Sequence, residues 1–232
     1  MGKTSGKTAI TIIIIAAIFI AVLAACIGIQ LYISPDFNGF SKEAMPELSV
    51  TYATGEDATE GEEGEAPFNW QDHNVLIVGD SLTLGARKEI AKVIEDATID
   101  GKESRGMSAG LSVLRSWEES GIMTDDSIIV VCLGNNITDS TIKDAQQIID
   151  MIKPGQSLIM MTGHGRSNMA PVNEFIRSLP RAYSYITVAD WDLTIAQSPS
   201  LLSDDGIHIA KNQGNALYAD LILKALEVSK PK

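Results

Sequence analysis

The sequence predicts an α/β protein, a three-layer α/β/α sandwich around a five-stranded parallel sheet, preceded by one N-terminal transmembrane helix. Three observations predict it. Residues 9–33, AITIIIIAAIFIAVLAACIGIQLYI, carry no charge. From Phe68 onward, short apolar runs alternate with amphipathic stretches, the pattern of strands and crossover helices. Between the two lies an acid-rich stretch without periodicity.

The apolar segment is long enough to cross a bilayer. As a helix it would reach roughly 37 Å at about 1.5 Å per residue, against a hydrocarbon core of about 30 Å. Lys3 and Lys7 precede it and the first charge after it is Asp36. Positive charge is retained on the cytoplasmic side. Residues 1–8 are therefore expected in the cytoplasm, with the body outside a cell membrane crossed once. Two rival readings attach to the same segment. Leu23–Cys26, LAAC, has the form of a lipidation site, and a small-residue cleavage site would make the segment a signal peptide. Against both, the apolar run continues past Cys26 to Ile33.

Residues 34–67 read as a disordered linker. Six acids fall between Gly55 and Glu65, with too little apolar surface to form a core. Formal net charge is −12 for the 232 residues. The linker explains much of it: residues 35–67 hold nine acids and one lysine. The body, 68–232, holds 21 acids against 15 basic residues. No basic stripe of the kind nucleic acid requires is present.

In the body, VLIVG (75–79) predicts a strand and 85–97 a helix. TID (98–100) is a weak strand, followed by a helix over 108–120. SIIVVCLG (127–134) is the strongest strand, and it leads to a helix over 140–152 that Ser140 is placed to cap. SLIMMTG (157–163), a helix over 170–179, the strand YITVAD (185–190) and a helix over 210–228 complete the series. Cys132 sits inside the strongest strand and reads as a small core hydrophobe. It has no plausible disulfide partner in Cys26.

In parallel sheets, sites form beyond the carboxyl ends of the strands, so polar residues just after strands are the candidates. Ser81 follows the first strand. Asn136 follows the third. Asp205 and His208 stand three apart after the fifth. A serine hydroxyl becomes a nucleophile when a base takes its proton, and His208 can be that base with Asp205 holding its ring. An oxyanion needs donors, and the N–H groups of Ser81 and Gly106 with the Asn136 amide are suitable. Gly110 competes with Gly106 for that place, and Asp204 neighbours Asp205. His164, in TGHGRSN, lacks a carboxylate at fixed spacing and is assigned to a substrate loop or a structural role. Arg166 beside it could meet an anionic group, but reads first as a solvated loop arginine. Trp191 is divided between lining the substrate pocket and the core. Asp80 reads as support for the loop. His73 reads as a surface residue. No metal-ligand spacing and no G-x-G-x-x-G is present, so neither a metal nor another cofactor is expected.

GDSLTLG, SRG, GNN and DGIHIAKNQG resemble the four blocks of the SGNH (GDSL) hydrolases, over about residues 75–228. The resemblance implies a flavodoxin-like fold and esterase or acyl-transfer activity, with Ser81 as nucleophile, Gly106 and Asn136 as oxyanion donors, and Asp205 and His208 completing the set. Within the family the likeness is to the extracellular SGNH domain of peptidoglycan O-acetyltransferases, supported by Asp190–Trp191 and the GNN block. Ile137 departs from the family's G-x-N-D block, which leaves the asparagine in place. The substrate expected is an acyl ester, with a cell-wall glycan as acceptor. Transfer with a single span would require a separate membrane protein to bring the acyl donor. A lipid-directed esterase and a non-catalytic wall-binding module are the alternatives.

Overall fold

The structure, a computed structural model, describes residues 46–53 and 68–232. The expected anchor (9–33), the cytoplasmic N-terminus and the acidic run 55–67 lie outside the described residues. Among the described residues no helix is long and apolar enough to cross a membrane.

Six strands form one sheet: β1 (Val50–Thr51), β2 (Val75–Gly79), β3 (Thr98–Gly101), β4 (Ile128–Cys132), β5 (Ser157–Met161) and β6 (Ile186–Ala189). Their order is β1-β6-β5-β4-β2-β3. The last five run parallel, as expected, and their order across the sheet is that of flavodoxin-like folds. The sheet is nevertheless mixed and six-stranded rather than five-stranded and parallel. β1 pairs antiparallel with β6, Val50 against Ala189 and Thr51 against Val188. It lies inside the stretch expected to be linker. Two residues give no alternation to read, and the partner strand is far away in sequence.

Among the described residues six α-helices cover the sheet: α1 (Ser81–Val93), α2 (Met107–Glu119), α3 (Thr141–Met151), α4 (Ala170–Ser178), α5 (Trp191–Ala196) and α6 (Asn212–Glu227). The strand residues alternate between two cores, as a pleated strand buried on both faces must. Ile77, Val130 and Ile159 face α1 and α6. Leu76, Val78, Val131 and Met160 face α2, α3 and α4. Cys132 is in the first core, and burial pushes its thiol up to about 12, so it is chemically inert.

Three local departures matter. α1 begins at Ser81, four residues earlier than the periodicity suggests, because Asp80 caps it by accepting from the Leu82 N–H at 2.9 Å. Ser140 occupies the N-cap position of α3 without capping; its hydroxyl donates to Asp144 at 2.7 Å. The short helix α5, capped by Asp190, has too few residues to leave a periodic signal.

Candidate active site

The strand order reverses between β2 and β4, the point at which crossovers depart to opposite faces and leave a crevice. Ser81 follows β2 and Asn136 follows β4, so the two stand on either side of that crevice. Ser81 is the first residue of α1, where backbone N–H groups lack intrahelical partners and the helix end carries partial positive charge.

Ser81 Oγ lies 3.1 Å from His208 Nε2. His208 Nδ1 lies 2.6 Å from Asp205 Oδ2. The other carboxylate oxygen of Asp205 accepts from the Ile207 and His208 N–H groups, each at 2.9 Å, and from Ser203 Oγ at 2.7 Å. The hydrogen bond to His208, followed by these backbone and hydroxyl bonds, holds the Asp205 carboxyl well below the usual carboxylate range. A fixed anion thus orients the imidazole so that its other nitrogen meets the serine. Asp204, adjacent and exposed, is not in this chain of bonds.

Gly106 is the N-cap of α2, and a Cβ there would come within 2.9 Å of the Asn136 carbonyl oxygen. The backbones of the two blocks therefore touch. Gly110 instead packs inside α2 against Leu133, which removes it from the site. The Asn136 amide donates to the Arg105 carbonyl at 3.2 Å and makes a longer contact, 3.4 Å, to Asp80 Oδ2.

Asp80 is 1% exposed beneath the nucleophile. Burial raises its carboxyl to about 6; the hydrogen bond from Leu82 and the proximity of His208 oppose the rise.

Ser81, Asn136 and His208 open onto a cleft of about 600 Å³, with Leu84, Glu103 and Arg166 among its other walls. Glu103 is a residue that sequence reasoning missed, and Arg166 is one that it placed in solvent first. Arg166 stands in the loop after β5, and no spacing links that loop to the nucleophile.

Two further candidates lie outside the lining of this cleft. Trp191 does not line the cleft. It is fully buried, edge-on to Tyr218 with ring centroids 5.0 Å apart, as α5 turns its first residue into the core. His164 does have a carboxylate: its Nδ1 lies 2.8 Å from Asp192. Asp192 in turn binds Arg177, which also binds Asp190, and Thr162 donates to Asp190 at 2.8 Å. This network fastens the ends of β5 and β6 and supports the structural role for His164. His73 packs against Phe68 ahead of β2, remote from the cleft.

No family model matches the chain. Curated relatives do. YrhL of Bacillus subtilis (strain 168), provisionally named a peptidoglycan O-acetyltransferase, is 27% identical over 155 residues, covering 66% of this chain and 24% of that protein. O-acetyltransferase OatA of Staphylococcus aureus (strain NCTC 8325 / PS 47) is 25% identical over 153 residues, covering 66% of this chain and 25% of that one. The chain thus spans about a quarter of the length of the curated relatives it matches. Among solved structures, the C-terminal catalytic domain of Streptococcus pneumoniae peptidoglycan O-acetyltransferase A superposes with TM-score 0.63 at 21% identity, covering 69% of this chain and 98% of that one. A G-D-S-L family lipolytic protein from Veillonella parvula DSM 2008 gives TM-score 0.56 at 16% identity, covering 66% and 97%.

Proposed function

On the premise that the chain is an SGNH-type homologue of the peptidoglycan O-acetyltransferases, with a G-D-S-L family lipolytic protein among its neighbours in fold, we propose that it is a membrane-tethered, outward-facing serine enzyme that moves short acyl groups, acetyl above all, on cell-wall glycans. The observation that carries the proposal is the unbroken chain Asp205–His208–Ser81, at 2.6 and 3.1 Å. A non-catalytic wall-binding module would have no need of it.

The geometry supports the following chemistry. Ser81 Oγ attacks the ester carbonyl while His208 Nε2 takes its proton, and Asp205 stabilises the imidazolium. The tetrahedral oxyanion is met by the N–H groups of Ser81 and Gly106 and by the Asn136 amide. Collapse expels the alcohol, which receives the proton from His208, and leaves an acyl-serine. A second hydroxyl, from water or from a sugar, enters along the same path and releases the acyl group to itself. Hydrolysis and transfer differ only in that second hydroxyl. The charge-free segment 9–33, preceded by Lys3 and Lys7, supports a tether, and the acidic run after it supports a spacer. Acetyl groups delivered across the membrane would come through a separate membrane protein.

The test uses the full-length chain in detergent. It should release p-nitrophenol from its acetate ester, with longer acyl esters turned over more slowly, and react with a fluorophosphonate at Ser81. Ser81→Ala should lower the rate by at least about 10³-fold. Equal rates for the two proteins would remove Ser81 from the mechanism. A preference for long acyl chains would favour a lipid-directed esterase instead.

A further inference from the structure

A second cleft, of about 650 Å³, opens beside the first. Arg166 lines both, so the two openings meet at that side chain. The second cleft is walled by Arg166, Arg177, Arg181, Glu174 and Asp192, with Asn173 at its floor. Arg177 is committed: it binds Asp190 and Asp192. Arg166 and Arg181 are exposed, and their guanidinium groups form no ion pair or hydrogen bond among the described residues. The lining carries three positive charges against two negative ones, on a body whose own balance is acidic. With the buried Asp190, which Arg177 also binds, the charges balance, so what the cleft offers is two guanidinium groups without partners among the described residues.

We propose that this second cleft is an acceptor subsite that binds a carboxylate on the glycan receiving the acyl group, with Arg166 and Arg181 as the recognising residues. The inference rests on the acyl-transfer reading above and adds to it where the acceptor lies. An acceptor must bring a hydroxyl to the acyl group on Ser81, and the rest of the glycan has to leave the Ser81 cleft by some route. The second cleft adjoins the first at Arg166, so a chain leaving Ser81 by that side passes it. Guanidinium groups match carboxylates in fork geometry and keep their charge at any pH of interest. Two unpaired guanidinium groups beside a single carboxylate, Glu174, that is likewise unpaired among the described residues suit one anionic group. A polyanion would meet Glu174 and Asp192 as well, and those repel it.

The experiment measures binding directly by titration calorimetry, using the full-length chain in detergent. The probes are a tetrasaccharide of alternating N-acetylglucosamine and N-acetylmuramic acid with free carboxylates, and the same glycan with those carboxylates amidated. Amidation should weaken binding about tenfold, the usual scale of a partly solvated charge-assisted contact. Arg166→Gln and Arg181→Gln should each narrow that ratio to about threefold, Arg181→Glu should erase it, and added salt should shrink it in the wild type. Arg181 is exposed, and a matching thermal melt verifies that its variants are folded. Equal affinities for acid and amide, no measurable binding of either, or a ratio that survives both substitutions overturns the subsite. Acetate-ester hydrolysis by the same preparation reports separately on Ser81. Hydrolysis without discrimination sinks the subsite alone, and discrimination without hydrolysis sinks the catalytic reading.

Discussion

Asp205 accepts four hydrogen bonds, three on one oxygen and the imidazole on the other. An amide in its place offers one oxygen and one NH₂. With the oxygen on the three donors, the NH₂ faces His208 and makes Nδ1 the acceptor, so Nε2 carries the proton and cannot take that of Ser81; turned the other way, the NH₂ meets the three donors. Asp205→Asn should therefore lower acetate-ester turnover by about 10³- to 10⁴-fold while leaving the fold intact, as kcat set beside a thermal melt will report. A rate within tenfold of wild type would mean that the carboxylate does not act through His208. Gly165 belongs to the same argument at one remove. Its φ is +101°, and a Cβ there would sit 2.4 Å from the Gly206 carbonyl oxygen, in the turn that separates Asp205 from His208. Gly165→Ala should push that turn aside, lowering kcat about tenfold or more, and slowing fluorophosphonate labelling of Ser81 equally, with a smaller loss in Tm. Unchanged labelling would show that the two loops are not coupled. Residues such as Asp205 and His208 are legible in sequence because their pairing is local, three positions apart. The pairing of His164 with Asp192 is not, since the two stand 28 positions apart and only the β5–β6 register brings them together.

At the scale of elements, the five parallel strands and the five longer helices follow from apolar periodicity, because each must bury a face. Two elements escaped for opposite reasons. α5 is a single short run held by the Asp190 cap, and β1 is a two-residue strand whose stability comes entirely from its partners. Those partners are specific. The Asp190 N–H donates to the Ser49 carbonyl at 2.8 Å, the Ser49 N–H donates to Thr194 Oγ1 at 3.1 Å, and Glu47 exchanges bonds with Gln197. Residues 47–51 thus fasten α5 and close the free edge of β6. A chain beginning at Phe68 loses these contacts and exposes a strand edge. Against a chain beginning at Pro46 with the intervening residues kept, it should be less stable by about 2–3 kcal/mol, or roughly 5–10 °C in Tm, and should self-associate in light scattering. Identical melting of the two would make β1 dispensable.

The whole molecule pays a price for placing a carboxylate at the switch point of a sheet buried on both faces. Asp80 caps α1 and supports the nucleophile's turn, yet it is 1% exposed. Burial dominates the opposing hydrogen bond from Leu82 and the charge of His208, raising its carboxyl from 3.8 to about 6. The sign of the consequence follows from linkage. Below pH 4 the group is protonated in folded and unfolded chains alike, and no penalty exists. Between pH 4 and 6 the unfolded chain ionises while the folded one holds its proton, so stability falls as pH rises. Above pH 6 the loss levels off, on the order of 3 kcal/mol for a shift of this size. Asp80→Asn keeps a capping oxygen and removes the titration. Its contact with the Asn136 amide does not titrate, so whatever the variant loses there is the same at every pH. The decisive quantity is therefore a difference of differences. Relative to wild type, the variant should melt roughly 6–12 °C higher at pH 8 than the same comparison gives at pH 4. A Tm offset equal at the two pH values would mean that Asp80 ionises in the folded chain as easily as in water, and that the site beneath Ser81 is wetter than its burial implies.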